Sequence, residues 1–338
     1  MIKKNNQSIQ ISNFFNNKRV LVTGGLGFIG SALIRRILKS FNCILFNLDK
    51  VSYSSDSESI QCILDTIPNS IEKYKFLKVD LSIREQVNNA IQAADPDIII
   101  HLAAESHVDR SIKNADSFIS SNINGTYNLL TLARNHYTNL DEIRKNKFRF
   151  HHISTDEVYG SLGEDGTFNE TTSYDPRSPY SASKAASDHL VNAWHHTYDL
   201  PTIITNCSNN YGPWQFPEKL IPLVILKCIK KEKIPVYGNG NNIRDWLYVE
   251  DHINGILSAI SMGNPGEKYC IGSQNERSNL EVINLICKYF DKNIRETGNY
   301  QDLITFVKDR PGHDFRYSIN SEKIISSLGW EPLTNFDE

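Results

Sequence analysis

Tyr180 and Lys184 stand four residues apart. On a helix that spacing puts both side chains on one face. An ammonium beside a phenol favours the phenolate, which makes tyrosine a base able to take a hydroxyl proton. The spacing alone is common by chance, so its weight depends on what surrounds it. A second group, Ser154-Thr155-Asp156-Glu157, follows an apolar run. The Thr155 hydroxyl would suffice to orient a substrate hydroxyl in a redox step, so the two adjoining carboxyls point to an additional acid–base reaction. On the residues alone, a loop cap or a salt bridge stays open for that pair.

A third group is built from glycine. Gly24, Gly27 and Gly30 lie three residues apart, with Phe28 and Ile29 among them, between a predicted strand and a predicted helix. Without Cβ atoms such a loop turns tightly and lets backbone N–H groups approach a pyrophosphate, whose charge the following helix N-terminus favours. Asp49, nineteen residues beyond Gly30, ends the next predicted strand. A carboxylate there accepts bonds from ribose hydroxyls and repels a 2′-phosphate, which favours NAD over NADP. An ordinary surface aspartate is the alternative, and the adjacent Lys50 leaves it open. Asp80 and Leu81 follow a third strand, placed to border an adenine. Leu102, Ala103 and Ala104 follow a fourth, where small side chains would let a flat cofactor lie close; a tight strand-to-loop junction explains them equally.

These groups need a scaffold. Strands are predicted at residues 19–23, 43–48, 76–79, 97–101, 148–154 and 202–205, alternating with helices at 28–38, 84–93, 117–135 and 180–198. That alternation implies a parallel sheet covered on both faces. After residue 205 the rhythm breaks: 209–217 reads as loop, 221–229 as helix and 235–237 as a short strand. Residues 246–251 and 268–271 read as strands returning to the sheet, followed by helix 280–290, strand 304–307 and helix 321–328. A ligand cleft is expected between the two parts. The expected division is a flexible extension at 1–17, a mainly cofactor-binding domain at 18–205 and a mainly substrate-binding lobe at 206–338 with segments returning to the first.

Composition narrows the partners. With 36 Lys and Arg against 39 Asp and Glu, the formal charge is -3, which argues against nucleic-acid or membrane binding driven by bulk charge. The six cysteines form no CxxC pair and read as reduced residues of a cytoplasmic protein. The N-terminus lacks the apolar run of a signal peptide, and no stretch is apolar enough for a membrane span. His151-His152 and His195-His196 lack the spacing of metal ligands, so no metal is expected.

The stretches 24–30, 101–112, 149–160, 178–184, 205–213, 217–223, 243–251 and 309–313 together resemble the dTDP-glucose 4,6-dehydratase family, a branch of the extended short-chain dehydrogenases. The likeness runs from about residue 18 to 335. It implies a Rossmann-like, doubly wound α/β fold with a smaller C-terminal substrate lobe, NAD as cofactor and a nucleotide-diphosphate sugar as substrate. It also implies a homodimer built on helices beginning near Ser117 and Tyr180. Tyr180, helped by Lys184 and Thr155, would take the C4 hydroxyl proton as hydride leaves C4. Glu157 would then remove the C5 proton, Asp156 would protonate the departing C6 hydroxyl, and hydride would return to C6. Ser106, Ser121, Asn122 and Asn210, with Tyr180 and Lys184, would join the cofactor side. Ser106, Thr155, Asn209, Glu218, Lys219, Pro235, Val236, Tyr237, Arg244, Asn279, Asp309, Arg310, Pro311, Gly312 and His313 would surround the substrate. Arg244 and Arg310 suit a diphosphate, although each alone reads equally as a surface arginine. A UDP-glucose dehydratase, a sugar epimerase and a non-catalytic NAD-binding regulator are the competing readings; the carboxyl pair argues against the epimerase. The chain departs from the family at Tyr53-Ser-Ser-Asp56, in a compact loop at 160–167, and in ending at Glu338 ahead of the family's last helix.

Overall fold

The computed structural model describes residues 2–68, 70–294 and 299–338, with side chains from residue 7 onward. Its centre is a seven-stranded parallel sheet built from β1 (Arg19–Thr23), β2 (Ile44–Asp49), β3 (Tyr74–Lys78), β4 (Ile98–His101), β5 (Arg149–Thr155), β6 (Thr202–Cys207) and, from the far end of the chain, a strand at Lys268–Ile271. Short apolar and β-branched runs suit strands buried on both faces. Alternate residues split between two cores: Val20 and Val22 of β1 and Ile98 and Ile100 of β4 face one, Leu21 and Ile99 the other. Helices Phe28–Ser40 and Val249–Met262 cover the first face. Arg84–Ala94, Gly125–Thr138 and Pro179–Tyr198 cover the second.

The spatial order is Lys268–Ile271, β6, β5, β4, β1, β2, β3. The winding reverses between β1 and β4, so the carboxyl ends of these strands open a crevice there. Thr23, Asp49, His101, Thr155 and Cys207 all end strands at that edge.

The rest of the chain builds the smaller part. β7 (Asn209–Tyr211) pairs parallel with β9 (Ile243–Tyr248), which pairs antiparallel with β11 (Glu276–Ser278); β8 (Ile234–Tyr237) falls between β7 and β9 in the chain but in a separate sheet, and the strand at Lys268–Ile271 is β10. β12 (Ile304–Val307) pairs parallel with β8, matching Val307 to Tyr237. Helices Leu220–Lys230 and Asn279–Asn293 pack on this pair around Val224, Cys228, Ile283 and Cys287.

Three expectations change. The N-terminal segment is not frayed: Ile2–Phe15 is a helix whose Phe15 is buried and stacks on Phe41 at 4.8 Å. Gln7 Nε2 ties it to Ser258 Oγ at 3.2 Å and to the Leu328 carbonyl at 3.1 Å; Met1 lies outside the described residues. Residues 209–211 form a strand rather than loop, because β9 supplies their hydrogen-bond partners. The run around Trp246 does not rejoin the main sheet but forms the centre of the three-stranded one.

Candidate active site

Ser178 starts the helix that carries the tyrosine. Its side chain accepts from the Ser181 N–H at 3.0 Å, the Ser181 hydroxyl accepts in return from the Ser178 N–H at 2.9 Å, and Pro179 occupies the first turn. Such a reciprocal cap contributes about 1 kcal/mol and fixes where the helix begins. Tyr180 and Lys184 therefore face the end of β5 one turn apart, both buried. Tyr180 meets Phe118 edge-on at 6.3 Å.

One continuous cleft of about 300 Å³ runs along the carboxyl edge of the sheet. Gly24, Gly27, Phe28, Ile29 and Gly30 line one end with Asp49, Lys50, Asp80 and Leu81; Leu102, Ala103, Ala104, Ser106 and Ser121 line the middle; Thr155, Asp156, Glu157, Tyr180, Lys184, Asn209, Asn210, Glu218 and Lys219 line the other end. Gly24 has φ +72° and a Cβ there would lie 2.7 Å from the Ala103 backbone, while a Cβ on Gly30 would collide with the Gly24 carbonyl. Only glycine permits this turn. The cleft is shaped for an extended polar ligand. Asp156 Oδ2, Asn209 Oδ1, Ser208 Oγ and Gln215 Oε1 are buried along it without a partner among the described residues, and such atoms are costly unless a ligand or solvent meets them.

At the glycine end the Asp49 carboxylate accepts from Leu26 N at 3.0 Å, Val51 N at 2.8 Å and Ser55 Oγ at 3.1 Å. It is held at the end of β2 where a dinucleotide's ribose would lie. Lys50 turns away to pair with Glu105 at 2.6 Å and to donate to Ser121 Oγ at 2.9 Å. Tyr53 closes the mouth: its hydroxyl reaches both Glu218 oxygens at 3.0 Å, and the Arg110 guanidinium lies 3.6 Å from its ring centre. Burial beside that carboxylate pushes the Tyr53 phenol up to about 12.

At the catalytic end Thr155 Oγ1 accepts from Glu157 N at 3.3 Å and donates to Asp156 Oδ1 at 3.2 Å. Burial, reinforced by Glu157 and Asp245, pushes the Asp156 carboxyl well above the usual range. Burial also raises Glu157, but Arg310, Lys219 and Arg244 act against it. The neighbouring carboxyls thus sit in different fields, one biased to hold its proton and the other surrounded by cations, as an acid and a base at one site require.

Two expectations fail on closer view. The Tyr180 phenol is not drawn down by the protein's own groups taken together. Burial, Glu157, Cys207 and Asp156 push it well up, and the Thr155 hydroxyl acts against them. The Lys184 ammonium instead donates to the Ile153 carbonyl at 2.8 Å and lies 3.4 Å from His152 Nε2. Asn122 does not face the cleft. It is buried in a π-helical turn at Ile119–Asn124, where its amide binds the Glu105 backbone and Ser183 Oγ. That turn brings Ser121 into the lining.

Several residues assigned to substrate lie outside this lining. Val236 is core, packed with Ile234 and Cys228, and Pro235 shares its strand. Asn279 opens its helix with its N–H on Asn242 O. Arg244 is buried, with its terminal nitrogens on the carbonyls of Ile243, Asp314 and Phe315 and its guanidinium 4.2 Å from the Tyr317 ring centre, a more occupied state than a free diphosphate clamp. Tyr237 and Arg310 meet on Asp109 at 3.2 and 3.3 Å. Asp309 accepts from His313 at 2.7 Å, and Pro311 and Gly312 form the turn between them. β8–β12 pairing brings this cluster together, and Arg310 and Arg244 act electrostatically on Glu157. Sequence reasoning missed Glu105, Ser208, Gln215 and Phe216 in the lining; the first two sit inside stretches that carry the resemblance, and the last two fall in the gap between residues 213 and 217.

Among the described residues no cluster of side chains suits a metal ion, and no helix is long and apolar enough to cross a membrane. The family model described as GDP-mannose 4,6 dehydratase matches residues 21–338. A probable dTDP-glucose 4,6-dehydratase of Sinorhizobium fredii is 52% identical over 319 residues, covering 94% of this chain and 89% of the relative. dTDP-glucose 4,6-dehydratase 1 of Escherichia coli K12 is 50% identical over 328 residues, covering 94% and 90%. Among solved structures, the dTDP-glucose 4,6-dehydratase DesIV of Streptomyces venezuelae, with NAD bound, superposes with a TM-score of 0.83 at 37% identity, covering 94% of this chain and 92% of that one. The Bacillus anthracis dTDP-glucose 4,6-dehydratase in complex with NAD gives 0.80 at 39% identity, covering 96% and 93%. Similarity at this level over nearly the full length, joined to the glycine turn, the tyrosine–lysine pair and the paired carboxyls in one cleft, places the chain in the dTDP-glucose 4,6-dehydratase family.

Proposed function

We propose that the chain converts dTDP-D-glucose to dTDP-4-dehydro-6-deoxy-D-glucose, with NAD held in the glycine-lined half of the cleft. The observation that carries this reading is the pair Asp156 and Glu157, differently biased, in one cleft with Tyr180. Bound NAD supplies a hydride acceptor for C4, a donor for C6 and a positive nicotinamide charge that favours a phenolate. Tyr180 takes the C4 hydroxyl proton, with Thr155 aligning the hydroxyl and Lys184 charged behind. The resulting ketone acidifies the C5 proton, which Glu157 removes. Asp156, protonated by its burial, gives its proton to the C6 hydroxyl, which leaves as water. A proton returns to C5 as C6 is reduced, so the net change is loss of one water. Residues 18–205 serve mainly the cofactor and residues 206–338 mainly the sugar nucleotide, with Glu218 and Lys219 reaching across and Arg310 with its neighbours at the substrate end.

The test is turnover of dTDP-glucose and UDP-glucose, offered separately and read by mass. Loss of one water with a 4-keto product, faster from dTDP-glucose, is expected. No product from either donor by protein carrying NAD would remove the reading.

A homodimer and a cytoplasmic setting belong to the same proposal. Ile112, Ile119, Tyr127 and Tyr198 expose apolar surface on and around the helices Gly125–Thr138 and Pro179–Tyr198, a face suited to a second copy. All six cysteines are free, as a reducing compartment would keep them. Light scattering should give twice the chain mass, and cell fractionation should place the protein in the soluble fraction; a monomer or a membrane pellet would contradict them.

A further inference from the structure

Asp188 is a buried carboxylate outside the cleft lining, eight residues beyond Tyr180 and four beyond Lys184 on the same helix face. Its Oδ2 accepts from Ser154 Oγ at 2.9 Å, Tyr174 Oη at 2.8 Å and Asn206 Nδ2 at 3.2 Å. Its Oδ1 lies 3.1 Å from His152 Nε2, an ion-pair distance without the alignment of a hydrogen bond. The same imidazole nitrogen lies 3.4 Å from Lys184 Nζ. His152 thus stands between the carboxylate and the ammonium, and its Nδ1 has no partner among the described residues.

We propose that Asp188 is a positioning residue for the reaction: it supplies the buried negative charge that keeps the Lys184 ammonium charged beside Tyr180. The proposal rests on the reading of Tyr180 and Lys184 given above. Among the described residues, the groups around Lys184 offer no other carboxylate as a source of that charge. From β4, His101 is engaged by Thr23 and Thr126 and its ring lies 5.2 Å from His152. From β5 comes His152, which burial and Lys184 lower to about 4, so it is neutral. From β6, Cys207 is held as a thiol by burial. On its own helix stand Tyr180 and Asp188, and burial raises Asp188 less than His152, Lys184 and Ser154 lower it, so it is ionised. Burial pushes Lys184 itself down, and Asp188 is the first group to oppose that. Without an anion there, the ammonium would lose its proton at lower pH.

The experiment uses full-length enzyme carrying NAD and compares Asp188→Asn with wild type across pH. The amide keeps the volume and acceptor oxygen but not the charge. We expect kcat to fall on the order of tenfold per unit of lost Lys184 basicity at alkaline pH, with the alkaline limb moved to lower pH and KM within about twofold. The same change in a Lys184→Arg background should leave the limb in place, because a guanidinium does not titrate. A loss equal at every pH, or an equal shift in the arginine background, would overturn the proposal. His152→Gln leaves all three Oδ2 bonds of Asp188 intact and guards against misfolding of the first variant. His152 is neutral and the Asp188 charge remains, so the alkaline limb should stay in place there; a displaced limb would give the effect to the imidazole and overturn the proposal. Neither result depends on which nucleotide sugar is turned over, so failure of the donor assignment would be seen separately.

Discussion

Tyr180→Phe is expected to slow C4 oxidation by about a thousandfold, within the range typical of a lost general base, while NAD content and thermal stability stay near wild type. The ring would keep its edge contact with Phe118 and its place in the first turn set by the Ser178 cap. Only the hydroxyl goes, together with its contact to the Thr155 side chain at the same site. The decisive readout is single-turnover oxidation of dTDP-glucose bearing deuterium at C4. The variant should show the primary isotope effect in full, because hydride removal without proton removal becomes the slow step. A loss below tenfold would mean that another group takes the proton. Thr155 is the nearest hydroxyl in the same network, and it donates to Asp156 rather than standing free.

The legible part of the molecule is the part whose chemistry is local. The glycine turn, Asp49 at a strand end and Tyr180 with Lys184 on one helix face follow from spacing, and the structure gathers them in one cleft. What stayed hidden depends on partners far along the chain. The polar, Asn-rich first residues gave no amphipathic signal, and their helix is held by Ser258 and Leu328. Arg244 read equally as a phosphate ligand and as a surface arginine, and nothing near it in sequence reveals that it is buried on the carbonyls of Asp314 and Phe315. Asn122 stands next to Ser121, and the π-helical turn decides which of the two faces the cleft. Two signals were present and unused. Ile234 and Val236 alternate on one face of β8, the pattern of a core strand, and Asp188 continues the Tyr180–Lys184 face by one more turn.

Glu157→Gln and Asp156→Asn should separate the two halves of the elimination. Each is expected to lower dehydration by about a hundredfold or more, but at different bonds. Glu157 stands where Arg310, Lys219 and Arg244 oppose its burial, so at neutral pH it is the better placed of the two to act as a carboxylate. Its amide can accept no proton, and dTDP-glucose recovered after partial turnover in heavy water should carry no deuterium at C5. Asp156 is held protonated by burial and by Glu157, and its asparagine cannot release a proton to the C6 hydroxyl. C5 exchange should therefore continue in that variant while water loss stalls. The pH profiles follow the same division. A base whose folded value is raised loses activity as the pH falls through it, and an acid whose value is raised keeps activity until the pH climbs through it. The acid limb of wild-type turnover should accordingly vanish with Glu157→Gln and the alkaline contribution of the carboxyl with Asp156→Asn. Deuterium at C5 in the glutamine variant, with none in the asparagine variant, would reverse the two roles, because the residue that exchanges the C5 proton is the base wherever its neighbours place it.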